Sequence, residues 1–300
     1  MVQGLVSAII TTHNRKELLV KSIESVMSQT YTAIECIVID DASTDGTKDY
    51  IKKFINNQQI RYVYIQPEES KGGNYARNLG IKYASGEYVA FCDDDDEWFE
   101  TKIEKQVNLM KTNPQIGFVY CGMVVEKNCN ISTRKNRPDK VNKYIEGDIS
   151  KQILLRIITT TTTIMVKKSL LQEIGGFDEN LKYWQEYELC IRVLQKTQAG
   201  AVKENLILYR NITKDRNRLS NKIYGWEQSV RYIESKHKNL IATLSDKENA
   251  IRKMYIYIDG FLRGYNARSF KYIIKYAGLM IYHRNIRKLL LKKVYQKIHG

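Results

Sequence analysis

Apolar runs that end in polar clusters recur along the first hundred residues of this chain, and this repetition constrains the fold most strongly. The runs at 6–12, 34–39 and 88–92 are rich in β-branched residues, as in strands buried inside a parallel sheet. Stretches with the spacing of amphipathic helices separate these runs. Alternating strands and helices with short connections predict an α/β fold, in which a mostly parallel sheet is flanked by helices.

Three polar clusters follow these strands, at 11–15, 40–45 and 93–96. The carboxyl ends of parallel strands lie at one edge of a sheet, and ligands bind outside that edge. We therefore expect the three clusters to line one binding site.

The third cluster is a run of four aspartates, Asp93, Asp94, Asp95 and Asp96. Consecutive carboxylates repel one another, so a bound cation would stabilise them. Mg²⁺ and Mn²⁺ prefer oxygen ligands and bind through one or two carboxylates together with substrate phosphates. The run therefore predicts a divalent cation between the protein and a diphosphate. The alternative is a solvated loop in which Asp95 or Asp96 caps the helix that follows Trp98.

Four segments resemble the motifs of family 2 glycosyltransferases, in the same order and with nearly the same spacing. They are VSAIITTHNR at 6–15, VIDDASTDGT at 38–47, ARNLGI at 76–81 and ASGEYVAFCDDDDEW at 84–98. The resemblance covers at least residues 5–200 and implies the Rossmann-like GT-A fold of the inverting, bacterial members. It implies transfer of a hexosyl or N-acetylhexosaminyl group from a nucleotide sugar, a UDP-sugar, to a hydroxyl of a glycan or lipid-linked acceptor during synthesis of cell-surface polysaccharide.

By the same resemblance, Asp93 and Asp95 correspond to the acids of the family's DxD motif and would ligate Mn²⁺ or Mg²⁺. Asp95 is the foremost metal ligand, and Asp93 lies nearer the ribose or the sugar. Asp41 would accept a hydrogen bond from the uracil imide, whose N–H suits a carboxylate acceptor. The other residues expected to contact the nucleotide sugar are Thr11, His13, Asn14, Arg15, Arg77, Asn78 and Asp94.

Some of these residues have simpler explanations. His13 stands where the family often has tyrosine, and it either stacks on the base or is an ordinary surface histidine. Arg77 and Asn78 either face the donor or are an exposed basic residue and an amide inside a helix.

The catalytic base is expected in the segment GGFDENLKYWQEYELCIRVL at 175–194, which resembles the family's GGFDE-like turn and the acidic motif after it. Transfer of a sugar to a hydroxyl with inversion requires a carboxylate that removes the acceptor's proton. The alignment places Glu186 on that motif, where aspartate is more frequent. Glu188 is the competitor, but residues two apart on a helix point in different directions, and Glu188 is spaced to pair with Arg192.

The threonine run at 159–163 precedes the apolar segment IMV and predicts a strand. It also matches a region that lies near the acceptor in the family. A purely structural strand and an acceptor-side element are therefore alternative interpretations of this run.

Charge is distributed unevenly along the chain. The first 200 residues contain 26 Lys and Arg against 26 Asp and Glu, whereas the last hundred contain 22 against 7, which accounts for the whole net charge of +15. We therefore expect a catalytic domain at 1–215, with a nucleotide-binding half at 1–98 and an acceptor half at 99–215. A helical, basic region follows at 216–300.

The basic region has three interpretations. Lys and Arg interleaved with Tyr, Phe and Leu in amphipathic helices suit an anionic membrane surface, which also suits a lipid-linked acceptor. The same helices could instead pack on the catalytic domain or on a second copy of the chain, giving a homo-oligomer. Nucleic-acid binding is a distant alternative that we do not expect, because no recognised nucleic-acid motif accompanies the basic composition.

A different class of enzyme would also suit the carboxylates. A metal-dependent nucleotidyltransferase or phosphohydrolase would use the same acidic residues to hold its cation. Release of UDP that requires an acceptor glycan would distinguish a glycosyltransferase from both.

Cysteine usage and hydropathy bear on the location of the protein. Five scattered cysteines without a CxxC pair suit a reducing compartment. The apolar N-terminal stretch lacks the basic start and the cleavage site of a signal peptide, and no window approaches the length of a membrane span. We expect a cytoplasmic protein that attaches peripherally to the inner face of the membrane.

Overall fold

The computed structural model describes residues 1–127, 144–211 and 223–283. Part of the predicted acceptor half and part of the basic C-terminal region lie outside the described residues. The chain divides into two compact units. Over their described residues, the first comprises Met1–Ile149, Ile158–Asn180 and Gln185–Lys214, and the second comprises Ser150–Ile157, Leu181–Trp184 and Asp215–Gly300. The functional division of the chain at residue 215 stays a prediction.

A sheet of eight strands, counted over the described residues, is the centre of the first unit. The strands are β1 Val2–Thr12, β2 Ile34–Asp41, β3 Arg61–Ile65, β4 Gly86–Asp93, β5 Glu97–Trp98, β6 Ile116–Lys127, β7 Met165–Lys167 and β8 Gln198–Asn211. They lie in the order β3-β2-β1-β4-β7-β6-β8-β5. Of the seven pairings between these described strands, four are parallel, which confirms the predicted mostly parallel sheet.

Some of the helices cover the sheet of the first unit, and others form the second unit. In chain order they are α1 Lys16–Met27, α2 Thr47–Tyr50, α3 Lys52–Asn56, α4 Gly73–Tyr83, α5 Lys102–Thr112, α6 Gln152–Leu155, α7 Lys168–Glu173, α8 Gln185–Val193, α9 Tyr224–Lys236, α10 Lys238–Ile241, α11 Asp246–Asn266 and α12 Phe270–Tyr282. Short 3₁₀ turns form at Pro67–Glu69 and Thr161–Thr163.

The first strand and helix show why the apolar runs are buried. Val6, Ala8 and Ile10 alternate along β1, so their side chains share one face of the sheet. Leu19 and Ile23 are one turn apart on α1 and are fully buried in the same apolar cluster. The β-branched run and the 3.6-residue period of the helix thus form one layer of the core.

The threonine run departs from the prediction. Residues 161–163 form a 3₁₀ turn, and the strand is limited to β7. Thr160 and Thr163 bond reciprocally as a capping box around this turn. Gln106 donates to the carbonyl oxygen of Thr163 at 2.9 Å, and the indole N–H of Trp98 donates to the hydroxyl of Thr162 at 3.4 Å. Local and distant hydrogen bonds therefore override the β propensity of threonine.

The second unit consists of helices packed around Trp226, whose side chain is fully buried. The rings of Trp184 and Tyr276 meet Trp226 edge to face, with centroids 5.4 and 5.8 Å away. α11 approaches α12 closely, because a Cβ on Gly260 would lie 2.6 Å from the ring of Tyr276. These helices confirm the predicted helical extension over the described part of that region. None of the described helices is long and apolar enough to cross a membrane.

Candidate active site

Three strand ends bring the predicted polar clusters together. Thr11 of β1 is in register with Asp93 of β4, and Thr12 is in register with Asp40 of β2. The chain runs from β1 to β2 and β3 on one side and returns to β4 on the other, so the strand order reverses between β1 and β4. Sheets of this kind bind ligands in the crevice at such a reversal.

The loop after β2 holds two carboxylates in different ways. Asp40 accepts hydrogen bonds from the backbone N–H of Ser43 at 2.8 Å and from the hydroxyl of Tyr62 at 2.7 Å. Asp41 is 8% exposed, and its Oδ1 is buried without a hydrogen-bond partner in the part of the chain that the structure describes. A buried acceptor without a donor destabilises the protein, so this oxygen marks a place where a ligand's N–H would fit.

The loop after β1 is attached to the loop after β2. Asn14 has a φ of 54°, in the left-handed region that asparagine adopts more readily than most residues. Its backbone N–H donates to Ser43 Oγ at 2.8 Å, and its Oδ1 accepts from the N–H of Thr44 at 2.7 Å. Nδ1 of His13 donates to the carbonyl oxygen of Asp41 at 2.6 Å. His13 and Asn14 therefore position the backbone that carries Asp41.

Arg15 compensates part of the charge of the aspartate run. Its Nη1 lies 3.1 Å from Oδ1 of Asp94 and 3.2 Å from Oδ2 of Asp95. The side chain of Asp94 is 8% exposed, and this burial raises its pKa to about 6. Arg15 opposes that rise in pKa, whereas the neighbouring carboxylate of Asp95 adds to it.

Arg77 of α4 connects the aspartate run to α8. Its Nη2 donates to Oδ1 of Asp93 at 2.7 Å, and its Nη1 donates to Oε1 of Gln185 at 3.1 Å. The guanidinium also lies 5.5 Å from the centre of the Phe177 ring. The side chain of Arg77 is 11% exposed, so it is not the exposed surface residue of the simpler explanation.

The side-chain amide of Asn78 is hydrogen-bonded to the turn that follows α7. Its Oδ1 accepts from the N–H of Phe177 at 2.8 Å, and its Nδ2 donates to the carbonyl oxygen of Phe177 at 2.9 Å and to Oε1 of Glu179 at 2.8 Å. A Cβ on Gly176 would collide with this amide. Because both ends of the amide bond the turn after α7, Asn78 holds that turn, and its predicted contact with the donor stays a prediction.

The far end of the aspartate run is anchored inside the first unit. Asp96 is fully buried, its Oδ1 accepts from the N–H of Arg210 at 3.2 Å, and its carbonyl oxygen accepts from the hydroxyl of Ser22 at 2.7 Å. The following helix, α5, has Thr101 at its N-cap position. Neither Asp95 nor Asp96 therefore caps that helix, which excludes the capping alternative.

Arg210, near the end of β8, belongs to the site although no sequence pattern indicates it. Its guanidinium pairs with Glu97, and its Nε lies 3.1 Å from Oε2 of Glu126. Its Nη1 donates to the carbonyl oxygen of Asp95 at 3.4 Å. These partners lie on strands far away in the sequence, so only the fold brings them together.

The two acidic candidates on α8 have different environments. Glu188 is fully buried, and its carboxylate accepts from Nε and Nη2 of Arg192 at 2.9 and 2.6 Å. Arg192 also donates to the carbonyl oxygen of Ile174 at 2.7 Å, so the expected pair between Glu188 and Arg192 forms inside the protein. Glu186 is half-buried in the first turn of α8, next to Gln185, which the arginine of α4 contacts.

The carboxylates of the aspartate run are the candidate metal ligands at this edge. Within the described ranges, no group of three or more His, Cys, Asp or Glu side chains could hold a metal ion alone. Asp93 and Asp95 present carboxylates at the end of β4, 29% and 14% exposed respectively. A cation here would complete its shell with oxygens of a ligand, as Mg²⁺ commonly does with phosphates.

Comparison with known proteins establishes the family. The profile of glycosyl transferase family 2 matches residues 7–175, more than half of the chain. The chain belongs to glycosyl transferase family 2. The match runs from β1 of this family 2 glycosyltransferase to the turn after α7, and it includes all three strand ends of the site.

Curated relatives of this family 2 glycosyltransferase carry the same class of activity in their names. It is 34% identical to an uncharacterized glycosyltransferase of Rickettsia bellii, over 67% of this chain and 28% of that protein. Two Escherichia coli relatives are named UDP-Glc:alpha-D-GlcNAc-diphosphoundecaprenol beta-1,3-glucosyltransferases. WfaP is 40% identical over 46% of this chain and 53% of its own length. WfgD is 30% identical over 66% of this chain and 73% of its own length. The match thus spans under a third of the Rickettsia protein and about half of WfaP.

Solved structures show the fold. Staphylococcus aureus TarS 1-349, in complex with UDP-GlcNAc, superimposes with a TM-score of 0.66 at 17% identity, over 90% of this chain and 76% of that chain. The mannosyltransferase PcManGT from Pyrobaculum calidifontis, in complex with GDP-Man and Mn²⁺, superimposes with a TM-score of 0.58 at 17% identity, over 97% of this chain and 84% of that chain. The glycosyltransferase therefore has the GT-A fold that its sequence predicts.

Proposed function

We propose that this glycosyltransferase moves a hexosyl or N-acetylhexosaminyl group from a UDP-sugar to a hydroxyl of a glycan or lipid-linked acceptor, with inversion at the anomeric carbon. The observation that carries the proposal is the position of Arg77, 2.7 Å from Asp93 and 3.1 Å from Gln185. One guanidinium thereby fixes a donor-side carboxylate relative to the helix that carries Glu186. Transfer requires these two sides of the reaction to be held together.

Asp41 is the proposed contact to the base of the nucleotide. Its buried Oδ1 lacks a donor in the described structure, and the imide N–H of uracil would supply one. Thr11, Asn14 and Arg15 follow β1 at the same edge and complete the proposed nucleotide site. This arrangement supports a uridine nucleotide, because the imide N–H of its uracil base can donate to the carboxylate of Asp41.

Asp95 and Asp93 are the proposed ligands of Mn²⁺ or Mg²⁺. The donor set fits a hard cation, because both residues offer carboxylate oxygens at a strand end and the nucleotide would supply phosphate oxygens. When bound, the cation would stabilise the negative charge that develops on the leaving diphosphate. Arg15 and Arg77 already contact these carboxylates and hold them in place at that strand end.

Glu186 is the proposed general base. Its carboxylate takes the proton from the acceptor hydroxyl while the hydroxyl oxygen bonds to the anomeric carbon. The bond from that carbon to the diphosphate oxygen breaks on the opposite face, and UDP leaves with the electron pair. Glu188 is unsuited to this step because Arg192 holds its carboxylate in a buried ion pair.

The Escherichia coli relatives support a lipid-linked acceptor. Their names specify GlcNAc-diphosphoundecaprenol as acceptor and UDP-Glc as donor. We propose the same class of acceptor for this protein, and with it a role in cell-surface polysaccharide synthesis. The enzyme would then work at the inner face of the membrane, where a hydrophobic carrier presents its sugar.

A panel of nucleotide sugars with Mn²⁺ or Mg²⁺ tests the proposal. We expect a UDP-sugar to bind in a metal-dependent way, and UDP release to accelerate when a diphospholipid-linked sugar is added. The product's anomeric configuration should be opposite to that of the donor. Asp95→Asn is the control, since it should abolish the dependence of binding on metal. Absence of metal-dependent binding of any nucleotide sugar, or acceptor-independent release of phosphate, would refute the proposal.

A further inference from the structure

One side of α12 is apolar and exposed. Phe270, Ile274 and Ile281 have 78%, 69% and 64% of their surface exposed, and their spacing of four and seven residues places them on one side of the helix. Gly278 is on the same side, where an added Cβ would have no neighbour within 4 Å. The opposite side of α12 packs on α11 through the buried ring of Tyr276. We call the exposed side, formed by Phe270, Ile274 and Ile281, the α12 face.

The sequence around the α12 face is strongly basic. Asp259 is the last acidic residue of the chain, and ten Lys and Arg follow it. Lys271 is exposed on α12 beside the apolar side chains. Lys275 is 39% exposed and also reaches Glu227 at 2.7 Å. α12 itself thus has an apolar strip bordered by lysines and contains no acidic residue, which is the pattern of helices that lie in a lipid interface.

We propose that the α12 face docks on an anionic lipid surface, with its three apolar side chains among the acyl chains and the neighbouring lysines at the headgroups. A second copy of the chain is a poorer occupant, because pairing would bring together two described segments, 260–283, that each carry four basic and no acidic residues. The biological use of this contact rests on the proposed lipid-linked acceptor. The docking itself needs neither donor nor acceptor.

Sedimentation of the full chain with vesicles tests the docking. We expect binding to vesicles that contain phosphatidylglycerol, weaker binding to pure phosphatidylcholine, and loss of binding as salt is raised. Replacing Ile274 and Ile281 together by serine should lower the affinity by about tenfold or more, since each loses buried apolar surface. Tyr50→Ser, at a 49% exposed aromatic residue of the first unit, is the matched control and should bind as the wild type does. Unchanged circular dichroism would show that the variants are folded.

A fluorescent reporter gives an independent readout. Phe270→Trp should show a blue shift in emission on adding phosphatidylglycerol vesicles, whereas Tyr50→Trp should not. Equal vesicle binding by the wild type and the double serine variant would overturn the proposal. A dimer in light scattering that the double variant abolishes would assign the face to a second copy instead. Because donor binding and UDP release are measured without vesicles, failure of docking and failure of the proposed activity are separate results.

Discussion

Asp40 and Asp41 are neighbours in the sequence, but only Asp40 has both carboxylate oxygens bonded within the described protein. The difference follows from the alternation of side chains along a strand, which turns the two carboxylates to opposite faces at the end of β2. Asp40 is therefore a structural residue of the loop. Asp41 is the one whose buried oxygen is suited to a ligand.

Asp41→Asn should weaken UDP binding by about tenfold, because a charged acceptor becomes a neutral amide in a buried position. Isothermal titration calorimetry in the presence of Mn²⁺ measures this change. Asp49→Asn, at an exposed aspartate a short distance along the chain, is the control and should bind UDP normally. An unchanged affinity of the Asp41 variant would exclude this residue from the nucleotide site.

Lys102 is a second residue whose environment has a measurable consequence. Its side chain is fully buried, its Nζ donates to Oε1 of Gln106 at 2.9 Å, and it lies 4.0 Å from the centre of the Trp98 ring. Burial lowers the pKa of Lys102 from 10.5 to about 8. The folded protein therefore binds this proton less tightly than the unfolded chain does.

Lys102→Met should stabilise the protein below pH 8, by at most about 3 kcal/mol in the free energy of unfolding, because the buried Oε1 of Gln106 loses its donor. The unfolded state binds more protons at this site between pH 8 and 10.5, so the destabilising effect of Lys102 fades as pH rises through that window. Urea unfolding at several pH values should show that the difference in the free energy of unfolding between variant and wild type becomes smaller towards pH 10.5. Lys111→Met, at an exposed lysine of the same helix, should show no such pH-dependent gap.

At the scale of elements, α8 places the carboxylates of Glu186 and Glu188 in different environments, which the sequence motif alone does not distinguish. Its first turn leaves Glu186 half-buried near the end of the sheet, whereas Glu188 points into the interior and bonds Arg192. The helical rotation of about 200° between residues two apart accounts for this difference. One helix thus supplies both a candidate catalytic group and a structural ion pair.

Glu186→Gln should lower kcat by about a thousandfold and leave UDP-sugar binding unchanged, because a glutamine cannot take the acceptor's proton. Glu188→Gln should instead lower the free energy of unfolding by about 3 kcal/mol, since it leaves Arg192 without its buried counter-ion. Steady-state kinetics and thermal unfolding of both variants separate the two effects. Retained turnover in the Glu186 variant would move the base to another residue.

The strands with polar ends could be predicted from the sequence because both signals are local. A β-branched run predicts a buried strand, and the residues after it must lie at the sheet edge. The run at 159–163 could not be predicted in the same way, because Trp98 and Gln106 set its conformation from distant positions. Whether a segment forms a strand, a helix or a turn can be predicted from the sequence only where residues nearby in the chain determine its conformation.

The candidate site was predictable to the same extent. The gathering of the polar clusters at one edge follows from strand order, and the expected pair of Glu188 with Arg192 follows from helical spacing. The role of Asn78 depends on the turn near Phe177, and Arg210 depends on partners from β5 and β6. No pattern within a short window contains those partners.

At the scale of the whole molecule, the chain combines an electrically balanced sheet unit with a basic helical unit. Close contact of α11 with α12 is central to the helical unit, and Gly260 makes it possible because a Cβ there would meet Tyr276. Gly278 lies on the opposite side of the same pair, with open space around it. Packing therefore excludes a Cβ at Gly260 but not at Gly278.

Gly260→Ala should destabilise the helical unit by about 2 kcal/mol, because an added Cβ would lie 2.6 Å from the Tyr276 ring. Gly278→Ala is the matched control and should be neutral or stabilising by about 0.5–1 kcal/mol, since alanine favours a helix and meets no neighbour. Thermal unfolding followed by circular dichroism measures both. Equal melting temperatures of the two variants would contradict the close packing at Gly260.

The strand order also has a consequence for how the protein behaves at high concentration. An exposed strand edge can recruit another chain and start aggregation. Here one edge is the five-residue β3, and the other is the two-residue β5, which pairs with β8 where residues 97–99 meet 206–208. Both edge strands of the described sheet are short, so misassembly through the sheet should be slow during expression and concentration.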